Sequence, residues 1–183
     1  MGRKLTCALL GVLLALGAAP AAAQSQDFTD EPGYVEFDRL ADLSRGEEIV
    51  EIHLTQPLLG LAQWAVRDED PELAEMLAGL KLLRVNVFSF TNEEAGSLAG
   101  DIDAITDRLA GEGWNRIVKV RDEDELWNVM VLMDTEGGTE GAPLLNGLAI
   151  VGMGNEDSDF RYSEGHSNEA VFVNVVGRLD FAK

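Results

Sequence analysis

Cysteine and histidine are almost absent from this 183-residue sequence, which has one Cys, Cys7, and two His, His53 and His166. Cys7 lies in an N-terminal apolar stretch, so disulfides, thiolate metal sites and thiol catalysis are excluded from the rest of the chain. Two histidines in separate segments do not supply the three or four ligands of a typical zinc site. We therefore expect no metal site and no cofactor.

Positive charge is also scarce. The chain has 14 Lys and Arg against 33 Asp and Glu, and its formal net charge is −19. A chain this acidic repels the phosphates of nucleic acids and the surfaces of anionic lipids. The composition therefore argues against nucleic-acid binding and favours high solubility.

Long apolar runs are limited to residues 5–19 (LTCALLGVLLALGAA). Arg3 and Lys4 precede this run, and residues 20–23 (PAAA) follow it, as in a secretory signal peptide with a small-residue cleavage site. We predict a signal peptide over 1–23 and export to the periplasm or the exterior, with no stable membrane anchor after cleavage. The polar residues 24–33 are predicted to be a flexible leader, and 34–183 a single domain.

Hydrophobic periodicity gives the order of the elements. Val50, Ile52 and Leu54 alternate with polar residues, as in a half-buried strand. Helices are predicted over 57–66, from 71 and over 93–110, strands over 82–90, 114–121, 126–133, 144–152 and 170–177. The order β-α-α-β-α-β-β-β-β predicts an α+β domain, with about three helices packed on one face of a mainly antiparallel sheet of five to six strands.

Residues 155–166 (NEDSDFRYSEGH) begin like a calcium-binding loop. An EF-hand needs Gly at its sixth position and Glu at its twelfth, but this segment has Phe160 and His166 there. Strands are also predicted on both sides, where an EF-hand has helices. We interpret the segment as a solvated acidic loop, with Asp157, Asp159 and Glu164 as weak candidates for binding a divalent ion.

No catalytic residue stands out. Ser167 lies in Gly-His-Ser-Asn-Glu, where Glu169 replaces the last Gly of a nucleophile elbow and a strand follows in place of a helix. The many carboxylates offer numerous pairs, so no particular pair is informative. A small envelope enzyme, most plausibly a carboxylate-based hydrolase, remains the alternative to a binding domain.

Asparagine recurs in the middle of predicted strands, although it is depleted in strands generally. By alternation, each Asn shares a sheet face with apolar neighbours. This asparagine face comprises Arg84, Asn86, Phe88, Phe90, Leu126, Asn128, Met130, Leu132, Phe172, Asn174 and Val176. The opposite face is purer in Val, and we expect the helices to cover it.

The mixed character of the asparagine face permits two interpretations. In the first, it is an ordinary solvent face or one covered by loops. In the second, it binds an unknown protein, a second copy of the chain or an apolar small ligand. The candidate residues for such a ligand or partner face are Arg84, Asn86, Phe88, Asn128, Met130, Phe172 and Asn174.

Four segments carry a resemblance to a known family. They are EPGYVEF (31–37), DEDPELAEMLAGLKLLRVNVF (68–88), EGWNRIVKVRDEDELWNVMV (112–131) and EAVFVNVVGRLD (169–180). The chain resembles the secreted bacterial family known as domain of unknown function 4252. The resemblance implies this fold and export, and it brings no catalytic residues. Together with the residues themselves, it predicts an exported, non-enzymatic binding or interaction domain that is related to the cell envelope.

Overall fold

The computed structural model describes residues 27–37, 48–134, 144–155 and 168–180. The elements are β1 (Glu48–Thr55), α1 (Gln56–Val66), α2 (Pro71–Ala78), β2 (Leu80–Ser89), α3 (Asn92–Gly111), β3 (Asn115–Arg121), β4 (Glu125–Asp134), β5 (Leu144–Gly154) and β6 (Glu169–Asp180). The predicted α+β class and element order are confirmed. The predicted signal peptide lies outside the described residues.

The helices begin where the sequence supplies start signals. Pro71 occupies the first turn of α2, where a missing N–H costs little. The carboxylate of Asp70 accepts a hydrogen bond from the N–H of Leu73 at 2.9 Å and so caps this helix. At the start of α3, the backbone N–H and the hydroxyl of Thr91 both donate to Glu94 Oε2 at 2.8 Å. In the part of the chain that the structure describes, no helix is long and apolar enough to span a membrane.

The strands form one six-stranded antiparallel sheet in the order β1-β2-β6-β5-β4-β3. Strands β2 and β3 are consecutive in the chain, yet three other strands separate them. The intervening helix α3 must therefore cross the sheet. Its 20 residues span about 30 Å, which exceeds the roughly 19 Å between these two strands.

Helix α3 crosses the asparagine face, and this placement differs from the sequence prediction. Leu98, Ile102 and Leu109 of α3 are buried in one cluster with Phe88, Phe90, Leu126, Met130, Ala149, Val151, Ala170 and Phe172. The rings of Phe88 and Phe172 stack with centroids 5.4 Å apart. The mixed face is the core because it carries the large aromatic side chains that fill the space beneath α3.

Helices α1 and α2 pack on the opposite side of the sheet. Leu59 of α1 is buried with Leu80 and Leu179, and the half-buried Leu54, Leu77, Leu83, Leu145 and Val175 pack against this cluster. Leu54, Leu83 and Val175 are cross-strand neighbours on the face that α3 does not cover. The helices therefore occupy both faces of the sheet, whereas the sequence suggested one.

The N-terminal segment 27–37 also packs on the asparagine face. Phe28 is buried against Leu82 and Val176, and Val35 and Phe37 join the main core. Residues 27–33, predicted as part of a flexible leader, thus pack against the sheet in the structure. The apolar area of Phe28 accounts for this, because burying a large aromatic ring is worth about 2–3 kcal/mol.

Candidate interaction surface

The sheet face opposite α3 consists of three complete cross-strand rows, which we call the valine face. In order from β1 to β3, the rows are Leu54, Leu83, Val175, Leu148, Val131 and Asn115; Ile52, Val85, Val173, Ile150, Val129 and Val118; and Val50, Val87, Val171, Gly152, Trp127 and Val120. No residue in these rows carries a formal charge. The face is therefore a continuous apolar surface that crosses all six strands.

Coverage of the valine face is partial. Helix α1 packs at the Leu54 end, as described above. None of the residues in the second and third rows takes part in the apolar clusters that the described residues form. Most are half-buried, Val87 is buried, and Val118 at the β3 edge is 42% exposed. The apolar clusters of the described residues therefore cover only part of the valine face, and Trp127 in its third row makes a further contact.

Trp127 packs closely in the third row of this face, on the strand next to the β3 edge. It pairs across the strands with Gly152, and a Cβ at position 152 would collide with the indole ring. The glycine therefore lets the ring lie close to the sheet.

Helices α1 and α2 extend the apolar surface beyond the sheet. In α1 (QPLLGLAQWAV), which contains no charged residue, Leu58, Leu61 and Trp64 are spaced at intervals of three. Leu61 is 64% exposed and Trp64 is 71% exposed. In α2, Leu73 and Met76 are also exposed. An uncharged helix with an exposed tryptophan is unusual for a freely solvated surface and typical of a contact surface.

Acidic residues lie on both sides of the sheet. Helix α3 carries Glu93, Glu94, Asp101, Asp103 and Asp107, and segment 27–37 carries Asp27, Asp30, Glu31 and Glu36. Both elements pack on the asparagine face. Arg116 and Arg121 of β3 pair with Asp107 and Asp103, which ties α3 to the edge of the sheet. The α1–α2 side is acidic as well, because residues 68–70 (DED) precede α2 and Glu72 and Glu75 lie in it. Only the valine face itself carries no charge.

The residues predicted as a ligand or partner face lie together, but in the core. Phe88, Asn128, Met130, Phe172 and Asn174 are all buried. A partner could reach them only if α3 and segment 27–37 moved away. The prediction that this face is accessible is therefore wrong. Both faces of the sheet carry apolar residues at alternate strand positions, so the sequence pattern does not show which face a helix covers.

Arg84 and Asn86 are the half-buried members of the predicted set. The Arg84 Nε–H donates to Asn86 Oδ1 at 3.2 Å, and its guanidinium lies 5.7 Å from the centre of the Phe37 ring. Arg84 also contacts the Tyr34 hydroxyl. These contacts hold the N-terminal segment against β2, so both side chains have structural roles here.

Two of the buried asparagines differ in their hydrogen bonding. Asn174 accepts from the Val35 N–H and donates to the Gly33 carbonyl. Asn128 is fully buried, and neither Oδ1 nor Nδ2 has a hydrogen-bond partner among the described residues. The first asparagine joins two parts of the chain. Burial of the unpaired Asn128 amide lowers the stability of the fold, and the surrounding packing offsets this loss.

A cleft of about 360 Å³ lies at the start of α3. Small residues of α3 (Ala95, Gly96 and Ala99) and the turn after β3 line it. The acidic groups of this turn are engaged locally: Asp122 accepts from the N–H of Asp124 and Glu125, and Asp124 accepts from Asn155. These contacts give the turn a structural role.

The weak metal candidates Asp157, Asp159 and Glu164 lie outside the described residues. Within the described ranges, no group of three or more His, Asp or Glu side chains is arranged to hold a metal ion.

The fold and this surface define a six-stranded α+β domain with one uncharged, apolar sheet face. A family model described as "Domain of unknown function (DUF4252)" matches residues 43–183. The chain therefore belongs to this family, as the resemblance in four segments suggested. Neither a curated protein nor a solved structure matches the chain.

The sequence pattern predicted that the helices cover the valine-rich face, whereas α1 packs on its Leu54 end and α3 packs on the asparagine face. The signal that could have corrected this is α1. A helix that contains leucines and a tryptophan but no charged residue is not expected to expose all of its remaining surface to water. Its position directly after β1 places it at the end of the sheet face to which Ile52 and Leu54 belong.

Proposed function

We propose that this protein is an exported binding domain that acts through the valine face and the exposed stripe on α1 and α2. The observation that carries the proposal is the set of three uncharged rows across all six strands. Contiguous apolar surfaces of this extent on a soluble domain mark interaction sites.

The chemistry of the surface favours binding over catalysis. Its side chains are aliphatic apart from Trp127 and Asn115, so it offers no nucleophile, acid or base. Apolar groups can stabilise a complex by burial, and tryptophan is a frequent anchor in interfaces. The role of such a surface is therefore to hold a partner or ligand.

Export is supported by the N-terminal sequence, in which a short basic region precedes an apolar run and a small-residue site. The domain is sufficiently acidic to stay soluble outside the cytoplasm despite its apolar side. We propose that it works in the periplasm or outside the cell.

The proposal can be tested by cysteine labelling, because Cys7 is the only cysteine and lies in the predicted signal peptide. Val118→Cys places a thiol on the valine face at an exposed position. Lys119→Cys is the matched control, since it is the next residue of the same edge strand, is also exposed and points to the other side of the sheet. The rate of maleimide labelling is measured in exporting cells and on purified protein at nanomolar concentration.

We expect Val118→Cys to react several-fold more slowly in cells than in the dilute purified sample, because a bound partner shields the thiol. Lys119→Cys should react at the same rate in both. Equal rates for Val118→Cys in both samples would show that the face is free in the cell and would refute the proposed function. Trp64→Cys extends the test to α1.

A further inference from the structure

We infer that the exposed stripe on α1 and α2 binds a basic amphipathic helix of another protein. The inference rests on the proposed function and names the partner for one part of its surface. The five side chains of the stripe are each more than one-third exposed: Leu58, Leu61, Trp64, Leu73 and Met76. A partner that covers them removes their apolar area from water, which favours the complex.

Acidic residues accompany this apolar stripe. Segment 67–75 (RDEDPELAE) has five carboxylates, in the connection 68–70 and at Glu72 and Glu75 of α2, against one basic residue, Arg67. Its formal charge is therefore −4, from one positive and five negative groups. Apolar and acidic groups together complement a helix that is apolar on one face and basic beside it.

The spacing within α2 places apolar and acidic side chains next to each other. Met76 follows Glu72 by four residues and Leu73 by three, so the three side chains are neighbours on the helix surface. Ala74 is buried and lies two residues from both Glu72 and Met76. Positions two apart point to roughly opposite sides of a helix, so Glu72 and Met76 both point outward.

The acidic connection is held at the end of α1. The N–H groups of Glu69 and Asp70 both donate to the Val66 carbonyl, at 3.1 and 2.7 Å. This end is the negative end of the α1 dipole, and its last turn, which includes Trp64, has no basic residue. A Lys or Arg of a partner that packs on Trp64 therefore meets both the carboxylates and the helix end.

The carboxylates beside the stripe are not neutralised within the described part of the chain. No ion pair forms there to Asp68, Glu69 or Glu72. In α3, by contrast, Asp103 and Asp107 pair with two arginines of β3. A basic partner therefore gains more from contact with the α1–α2 side than from contact with these two positions of α3.

The backbone of the stripe favours a helix over an extended peptide. The backbone groups inside α1 and α2 are bonded within the helices, so the stripe offers no sheet edge that a strand could join. A helical partner satisfies its own backbone and needs only side-chain contacts. Leu58 and Trp64 are about 9 Å apart along α1, which is close to two turns of a facing helix.

Other occupants are disfavoured by charge. An anionic membrane would place its headgroups against segment 67–75, and like charges repel. A second copy bound through the same stripe would bring two such segments together, with the same result. Neither brings the cations that the carboxylates lack.

The test uses the chain that begins at Gln24 and a labelled synthetic helix of about 14 Leu and Lys residues, with Leu at positions i, i+3, i+4 and i+7. Fluorescence anisotropy measures the dissociation constant of the complex. We expect a constant in the micromolar range that rises with salt. Trp64→Ser should raise it at least about tenfold, because it removes the largest side chain of the stripe.

Ile117→Ser is the matched control for the apolar contact. Ile117 is 60% exposed and lies in β3, at the sheet edge farthest from β1, on which α1 packs. This variant should leave the dissociation constant unchanged. All of the positions substituted in these tests are exposed, and circular dichroism checks that each variant folds.

A second pair of variants tests the charges. Asp68→Asn combined with Glu69→Gln should raise the dissociation constant about threefold to tenfold at low salt. Glu93→Gln combined with Glu123→Gln is the control, because it removes the same charge from exposed positions in α3 and in the turn after β3. This control should change the constant by less than about twofold.

Equal effects of the two charge pairs would show that the peptide responds to the overall charge alone and would overturn the inference. Absence of peptide binding, or equal losses in Trp64→Ser and Ile117→Ser, would also overturn it. Co-sedimentation of the chain with anionic lipid vesicles, abolished by Trp64→Ser, would assign the stripe to a membrane instead.

Labelling of Val118→Cys decides the proposed function separately, because Val118 lies on the valine face in β3 and not on the stripe. If the inference is overturned and Val118→Cys is protected in cells, the proposed function stands with a different partner. Without that protection, both fail.

Discussion

The side chain of Asn174 pairs with the backbone of Val35, 139 residues earlier in the chain. The Val35 N–H donates to Asn174 Oδ1 at 3.0 Å, and Asn174 Nδ2 donates to the Gly33 carbonyl at 2.8 Å. An asparagine in the core thus supplies the hydrogen bonds that a short N-terminal segment needs to cross the sheet without forming a strand.

Asn174→Ala should lower the free energy of unfolding by about 2–4 kcal/mol, because it leaves two buried backbone groups of segment 33–35 without partners and opens a cavity. Urea denaturation measures this change. Asn86→Ala is the control, since Asn86 is half-buried and bonds only to Arg84 among the contacts described, and it should cost less than about 1 kcal/mol. Equal effects would mean that the Asn174 contacts are not important.

Replacement of Asn128 should affect the free energy of unfolding differently from replacement of Asn174. Its amide has no partner among the described residues, so Asn128→Leu removes a desolvation cost and should be neutral or stabilise the fold by about 1–2 kcal/mol. Asn174→Leu, by contrast, should destabilise it. Thermal denaturation of the two variants makes the comparison. A large loss in Asn128→Leu would show that a buried water bonds to this amide.

Gly152→Val should displace Trp127, because any Cβ at this position collides with the indole. We expect a loss of about 1–3 kcal/mol, the range for overpacking, with a shift in tryptophan fluorescence. Gly100→Ala is the counterpart: it lies in α3 with open space around it, and it should stabilise the helix by about 0.5–1 kcal/mol. Full stability in Gly152→Val would contradict the close packing of Trp127.

Phe28→Ala should cost about 3 kcal/mol, because the ring is buried against Leu82 and Val176. Asp30→Ala, at an exposed position of the same turn, should have little effect. Urea denaturation measures the loss of stability, and hydrogen exchange at residues 33–37 shows whether the segment stays packed. Unchanged stability and protection in Phe28→Ala would mean that the Phe28 contacts do not hold this segment against the sheet.

The elements of this fold were predictable because their signals are local. Alternation in Val50, Ile52 and Leu54 and the Asp70-Pro71 start appear in the structure as β1 and as the start of α2. The candidate surface was not predictable in the same way. Asn128 and Val129 are adjacent in β4, and both have apolar neighbours two positions away, so alternation separates the two faces without showing which one is the core.

The sequence by itself determined the strands, the helices, the acidic composition and the absence of thiol chemistry, because each depends on residue type or on spacing within a short segment. Only the tertiary structure decided that α3 crosses the asparagine face, since β2 and β3 lie on opposite sides of three intervening strands. That crossing buries Met130 and Phe172 and leaves the valine rows on the other side of the sheet. The long-range connections of the chain determine which apolar face becomes the core. No local sequence pattern specifies these connections.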